Sequence, residues 1–139
     1  MGNQKLKSKK VLKKQFLNMK KKLRFSIVTA TKNPVDILPT LQSLKNQTFK
    51  SYENIIIDSS KNNSVKKKYS KNFNFKYFYN RELSLYEALN YGIKKSSGHI
   101  IFFLHSDDVF ANENVLKNIS EIFLKKKFDI IYANIKMIK

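Results

Sequence analysis

The sequence of 139 residues contains no cysteine. Disulfides, thiolate zinc sites and a cysteine nucleophile are thereby excluded, and cysteine usage says nothing about redox compartment. Glycine occurs only three times, as Gly2, Gly92 and Gly98, so neither the dinucleotide fingerprint nor a Walker loop can be assembled. A Gly-x-Ser-x-Gly nucleophile elbow is absent as well. The longest purely apolar run is Ile100 to Leu104, far short of the roughly 18 residues a membrane-spanning helix requires. No apolar secretory block follows Met1, and the expected location is cytoplasmic. Met1-Gly2 resembles the start of an acylation signal, but Leu6 stands where Ser or Thr is required.

Acidic residues are scarce: 10 Asp and Glu stand against 28 Lys and Arg, a net charge of +18. Residues 1–24 hold ten of the basic side chains and no acid, and smaller lysine runs recur at 66–68 and 125–127. Only Arg24 and Arg81 are arginine, whereas readers of bases and phosphates lean on the bidentate guanidinium. The charge therefore counts only weakly for nucleic acid. An AT-rich genome would produce the same abundance of Lys, Asn, Ile, Phe and Tyr. Apolar residues make up 42% of the chain, enough to bury a core and to exclude a wholly disordered basic tail.

Two regions are expected. Residues 1–23 form a basic leader, with a helix over 4–23 carrying Leu12, Phe16, Met19 and Leu23 on one narrow apolar stripe. Such a helix suits an anionic membrane surface or a partner, or else stays solvated. Residues 24–139 form one domain in which strands and helices alternate. Strands are expected at 24–29, 54–58, 73–79, 99–104 and 128–135. Helices are expected at 35–46, 65–70, 84–95 and 112–126, with Pro39 in a first turn and Ser97-Gly98 ending the third. This order implies βαβ units and a mainly parallel sheet with helices on both faces, with ligands at the carboxyl ends of the strands. Thr29, Thr31, Asp58 and Asp107-Asp108 all fall at those ends.

Adjacent carboxylates after a buried strand are unfavourable unless water, a cation or backbone N–H groups compensate them. A hard divalent ion bridging a substrate diphosphate would do so, although a plain loop or helix cap is the commoner role of such a pair. His99 and His105 have no third ligand at metal spacing.

The segments Phe25-Ser-Ile-Val-Thr29, Leu44-Lys-Asn-Gln-Thr-Phe49 and Glu53-Asn-Ile-Ile-Ile-Asp-Ser59 stand in a telling order. They are followed by Tyr86-Glu-Ala-Leu-Asn-Tyr-Gly-Ile93, Ser97-Gly98 and Ile101-Phe-Phe-Leu-His-Ser-Asp-Asp108. Together they resemble the N-terminal half of family 2 glycosyltransferases with the Rossmann-like GT-A fold. The resemblance implies a nucleotide-diphosphate sugar as donor, a UDP-sugar first among them, and a saccharide or lipid-linked acceptor of surface-polysaccharide synthesis. It implies that Thr29 and Ala30 wall the nucleotide pocket and that Asp58 meets the uracil or ribose end. Asp107 would touch ribose or sugar, and Asp108 would hold Mn²⁺ or Mg²⁺ against the diphosphate. Tyr86, Asn90 and Gly92 match a helix lining the donor pocket, with packing and helix termination as the competing roles for Tyr86 and Gly92.

Departures accompany the match. Ser59-Ser-Lys-Asn-Asn-Ser64 stands where a Gly and a second acid are usual, Ser84 replaces a common Gly, and Tyr132-Ala-Asn134 replaces Tyr-Gly-Asp. The family's catalytic base belongs to a later segment, so the fold is expected to be incomplete at the C-terminus and no base is named. The alternative, from a different class, is a basic module for nucleic acid or anionic membrane on an α/β scaffold.

Overall fold

The computed structural model describes residues 9, 11–15, 17–19, 22–34, 36–125 and 129–133. Its centre is a pair of long strands, β1 (Phe25–Thr31) and β2 (Tyr52–Asp58), linked through helix α1 (Leu38–Lys45). Every residue of β1 is buried, as is β2 from Glu53 onward, which explains their near-continuous apolar runs. Helix α2 (Ser64–Tyr69) leads to edge strand β3 (Lys76–Tyr79), and helix α3 (Leu85–Lys95) crosses back to β4 (Ile100–Phe103). Helix α4 (Val115–Lys125) follows. All pairings are parallel, and the strand order is β3-β2-β1-β4.

The period of two along β1 divides the core. Phe25 and Ile27 face Leu44 and Leu116 on the side of α1 and α4, while Val28 and Ala30 face Ala88 of α3 on the other. Ile56 joins Leu41, Val65 and Tyr69 beneath α1 and α2. Helices thus cover both faces, as the alternation predicts. The glycines serve this packing: a Cβ on Gly92 would collide with Val28, and one on Gly98 would lie 2.7 Å from the β1 backbone at Phe25 and Ser26. Gly92 is therefore a packing residue in mid-helix rather than a terminator.

The expected fifth strand is corrected for the residues that are described. Residues 129–133 have no strand geometry, and Ile130 and Tyr132 are exposed. A strand forms only where a neighbour pairs its backbone groups, and these residues do not pair with β4. The rest of that expected strand lies outside the described residues. The third strand starts at Lys76 rather than at 73, because the Phe73 N–H closes the turn after α2 by donating to the Tyr69 carbonyl. In the leader, Lys9, 11–15, 17–19 and Lys22 are helical and exposed. Phe16 of the expected stripe, like Asn134, lies outside the described residues. Among the described residues no helix is long and apolar enough to cross a membrane.

Candidate donor-binding site

Successive crossovers place α1 and α2 on one face and α3 on the other, so the winding reverses between β1 and β4. Open parallel sheets bind ligands in the crevice outside the strand carboxyl ends at such a reversal. A cavity of about 300 Å³ lies there, bounded by Ala30 and Thr31 at the end of β1 and Lys32 after it, Ser59 after β2, Leu85 and Ala88 of α3, and His105 to Asp107 after β4.

The loops around the cavity are tied to one another. The Ser59 N–H donates to the Thr31 carbonyl at 2.9 Å. Asn33, with φ at 48°, is the one non-glycine residue at positive φ among those described. Asparagine tolerates that conformation. Here it directs the Asn33 N–H to Ser60 Oγ at 2.7 Å and Oδ1 to the Lys61 N–H at 2.9 Å. On the other side, the Thr40 hydroxyl donates to the Ser106 carbonyl at 3.0 Å, and a turn closes as the Asp108 N–H donates to the His105 carbonyl at 3.1 Å. Gln47, fully buried at the end of α1, donates to the Asn112 carbonyl and accepts from the Leu116 N–H. The acidic loop is therefore fixed to α1 at both of its ends.

The residues expected from the sequence divide into three groups. Ala30 and Asp107 line the cavity, and half-buried Asp108 adjoins Asp107. Thr29 is buried one position earlier on β1 and is not among the lining residues. Asp58 is 0% exposed, with Oδ1 accepting from the Ser60 N–H at 2.8 Å and Oδ2 from the Tyr77 hydroxyl at 2.6 Å. Burial, reinforced by that bond and by the carboxylate charge, pushes the Tyr77 hydroxyl far above the ordinary tyrosine range. Tyr86 is 77% exposed and Asn90 is exposed, and both lie outside the lining.

Sequence reasoning placed Thr31 at a strand carboxyl end without giving it a role, and it missed Lys32, Ser59 and His105 as lining residues. The signal for Thr31 was its position at the very end of β1. That residue is 4% exposed, yet its Oγ1 has no hydrogen-bond partner. A buried hydroxyl without a partner costs about 1–3 kcal/mol. It stands in the wall of the cavity at the switch point.

Carboxylates at 107 and 108 are hard oxygen donors of the kind Mg²⁺ and Mn²⁺ accept. Among the described residues no three His, Cys, Asp or Glu gather into a complete metal cage. The donor set fits an ion whose coordination is completed by water and substrate phosphate.

The profile of glycosyl transferase family 2 matches residues 26–139. The chain belongs to family 2 of the glycosyltransferases. It is 32% identical over 96 residues to an uncharacterized glycosyltransferase of Rickettsia bellii (strain RML369-C), covering 66% of this chain and 14% of that protein. Among solved structures, S. aureus TarS superposes with a TM-score of 0.63 at 25% identity, over 74% of this chain and 20% of TarS. TarS 1–349 in complex with UDP-GlcNAc gives a TM-score of 0.64 at the same identity, over 74% of this chain and 32% of that one. The family 2 chain described here thus carries the GT-A fold and spans a third or less of the length of these relatives.

Proposed function

We propose that the crevice between β1 and β4 binds a nucleotide-diphosphate sugar, a UDP-sugar first, for transfer to a saccharide or lipid-linked acceptor in polysaccharide synthesis. The observation that carries this reading is the partnerless Thr31 hydroxyl in a cavity that also holds Asp107. The complex of the related TarS fragment with UDP-GlcNAc supports the donor class. Residues 24–139 form the transferase-like domain in this reading, and the basic leader, 1–23, holds it at the cytoplasmic membrane face.

In the transfer, the acceptor hydroxyl oxygen bonds to the anomeric carbon as the bond to the diphosphate breaks, the electron pair departs with the nucleoside diphosphate, and the hydroxyl proton passes to a general base, a role assigned to none of the residues named here. Thr31 would donate to the nucleoside end, Ala30 would let the ring approach the sheet, and Asp107 would take up ribose or sugar hydroxyls. Lys32 would face phosphate. Asp58 acts one layer back, holding the Ser59-Ser60 loop through Ser60. Thr29 would support the wall from within β1, while Tyr86 and Asn90, exposed on α3 outside the lining, would meet the sugar end. Asp108 would hold the divalent ion, which when bound neutralises the charge gathering on the departing diphosphate.

The test is thermal stabilisation of the full chain by UDP, GDP and their sugars, with and without Mn²⁺. Ligand at about 100 times its Kd should add about 2.7 kcal/mol of stability. Asp108→Ala should remove the manganese dependence. Thr31→Val should bind UDP-sugar roughly fivefold more weakly while the unliganded variant melts no lower, because it discards a hydroxyl that has no partner. The reading fails if no nucleotide stabilises the chain, or if both variants respond as the parent does.

A further inference from the structure

A second cavity, about 490 Å³, opens at the amino ends of β1, β2 and β3, at the sheet edge opposite the donor crevice. Neither the family assignment nor the proposed transfer gives it a role. Its lining includes Asn54, which is only 8% exposed and whose Oδ1 has no hydrogen-bond partner. An acceptor buried this way is unfavourable unless a donor reaches it.

The wall is the run Asn72-Phe73-Asn74-Phe75, in which exposed carboxamides alternate with half-buried rings. Rings offer an apolar face to the C–H surface of a ligand, while carboxamides both donate and accept. The rim is cationic. Arg24 and Lys76 are directed to Glu53, whose carboxylate lies 3.9 and 2.7 Å from them. Lys45 and Lys50 are not paired with a carboxylate among the described residues. The Lys50 ammonium donates to the Lys45 carbonyl at 2.6 Å, and the Lys45 ammonium stands 5.2 Å from the Phe73 ring centre. Two uncompensated cations thus flank an aromatic and carboxamide wall above a buried acceptor.

We propose that this cavity is a binding site for an anionic saccharide unit. A ring hydroxyl would donate to Asn54, the ring would lie along Phe73 and Phe75, and the phosphate or carboxylate would meet Lys45 and Lys50. The site is separate from the donor crevice, and the proposal stands whether or not the donor reading does.

Calorimetric titration of the full chain with glucose 6-phosphate, glucuronate, UMP, neutral glucose and inorganic phosphate tests it. Glucose 6-phosphate or glucuronate should bind saturably, and glucose and inorganic phosphate at least tenfold more weakly. Asn54→Leu should cut the affinity about tenfold without lowering the melting temperature, since it replaces a partnerless carboxamide with an apolar side chain of similar size. The surface double variant Lys45→Ala/Lys50→Ala gives a second reading that does not depend on the core, and it should lose at least tenfold. Thr31→Val should leave this binding unchanged. Absence of saturable binding by both anionic sugars overturns the proposal. So does inorganic phosphate binding as tightly as the sugar, UMP binding more tightly than either, or equal loss in Thr31→Val.

Discussion

Glu53 is 5% exposed at the start of β2 and remains ionised. Burial alone would raise its pKa, but bonds from Lys76, from the Ser26 hydroxyl and from the Ser97 N–H and hydroxyl outweigh it and hold the carboxyl at about 2. Those partners come from β1, β3 and the turn before β4, so a single carboxylate knits three strands and a connection. Because the folded pKa lies below the ordinary 4.5, the stability it contributes is fully present above about pH 4.5. It is lost as pH falls through about 2. The shift corresponds to about 3 kcal/mol. Urea unfolding of the parent should therefore weaken by about that amount between pH 5 and pH 2, and Glu53→Gln should flatten this part of the profile. An unchanged acid limb in the variant would show that Glu53 does not govern it.

At the scale of elements, the acidic loop after β4 owes its position to α1. Gln47 lies at the end of α1, and its carboxamide bonds the Asn112 carbonyl at 2.7 Å and the Leu116 N–H at 3.0 Å. The Thr48 N–H adds a bond to the Glu113 carbonyl at 2.7 Å. Gln47→Ala would strand the buried Leu116 N–H and release the Asn112 carbonyl, and it should cost about 1–3 kcal/mol by chemical denaturation. It should also weaken UDP-sugar stabilisation even though Gln47 does not line the cavity, because Ser106 and Asp107 move with the loop. Undiminished nucleotide response at full loss of stability would uncouple the two. The elements themselves were legible because their periodicity is local: β1, β2 and α3 appear close to their expected positions. The structure adds that α3 starts on Ser84-x-x-Glu87 with both halves of a capping box formed, a signal the sequence reading did not use. What was not legible depended on partners distant in sequence. The run at 128–135 has strand composition, but composition supplies no neighbouring backbone. Asp58 reads as an exposed strand-end carboxylate until Tyr77, nineteen residues later, is seen to close over it. That Thr31 Oγ1 and Asn54 Oδ1 lack a hydrogen-bond partner leaves no mark in the sequence, since a missing partner exists only in three dimensions.

For the whole molecule, the net charge of +18 is divided between two bodies with different physics. In the folded domain, lysines lie over Phe73, Tyr77, Tyr69, Phe78 and Tyr91, and another meets Glu53, so part of the charge is absorbed by the domain's own surface. In the leader, residues 1–22 contain nine lysines and no acid. Val11, Leu12, Leu17 and Met19 are exposed there, while Leu23 packs on the core and its carbonyl accepts from the Ser51 hydroxyl at 2.7 Å. Among the described residues, the leader is anchored on the domain through Leu23 and offers solvent both cations and apolar side chains. Each lysine near an anionic bilayer contributes about 1 kcal/mol, and the exposed apolar groups add to it. The full chain should therefore sediment with phosphatidylserine vesicles at low salt and be released near 1 M salt, where the Debye length shrinks to about 3 Å. A chain beginning at Leu23 should retain the melting temperature and nucleotide response of the parent and stay in the supernatant. If the shortened chain still sediments with vesicles, the membrane contact belongs to the domain. If it instead binds single-stranded nucleic acid with steep salt dependence, the lysines of the domain form a polyanion surface, and the leader is not the seat of the charge effect.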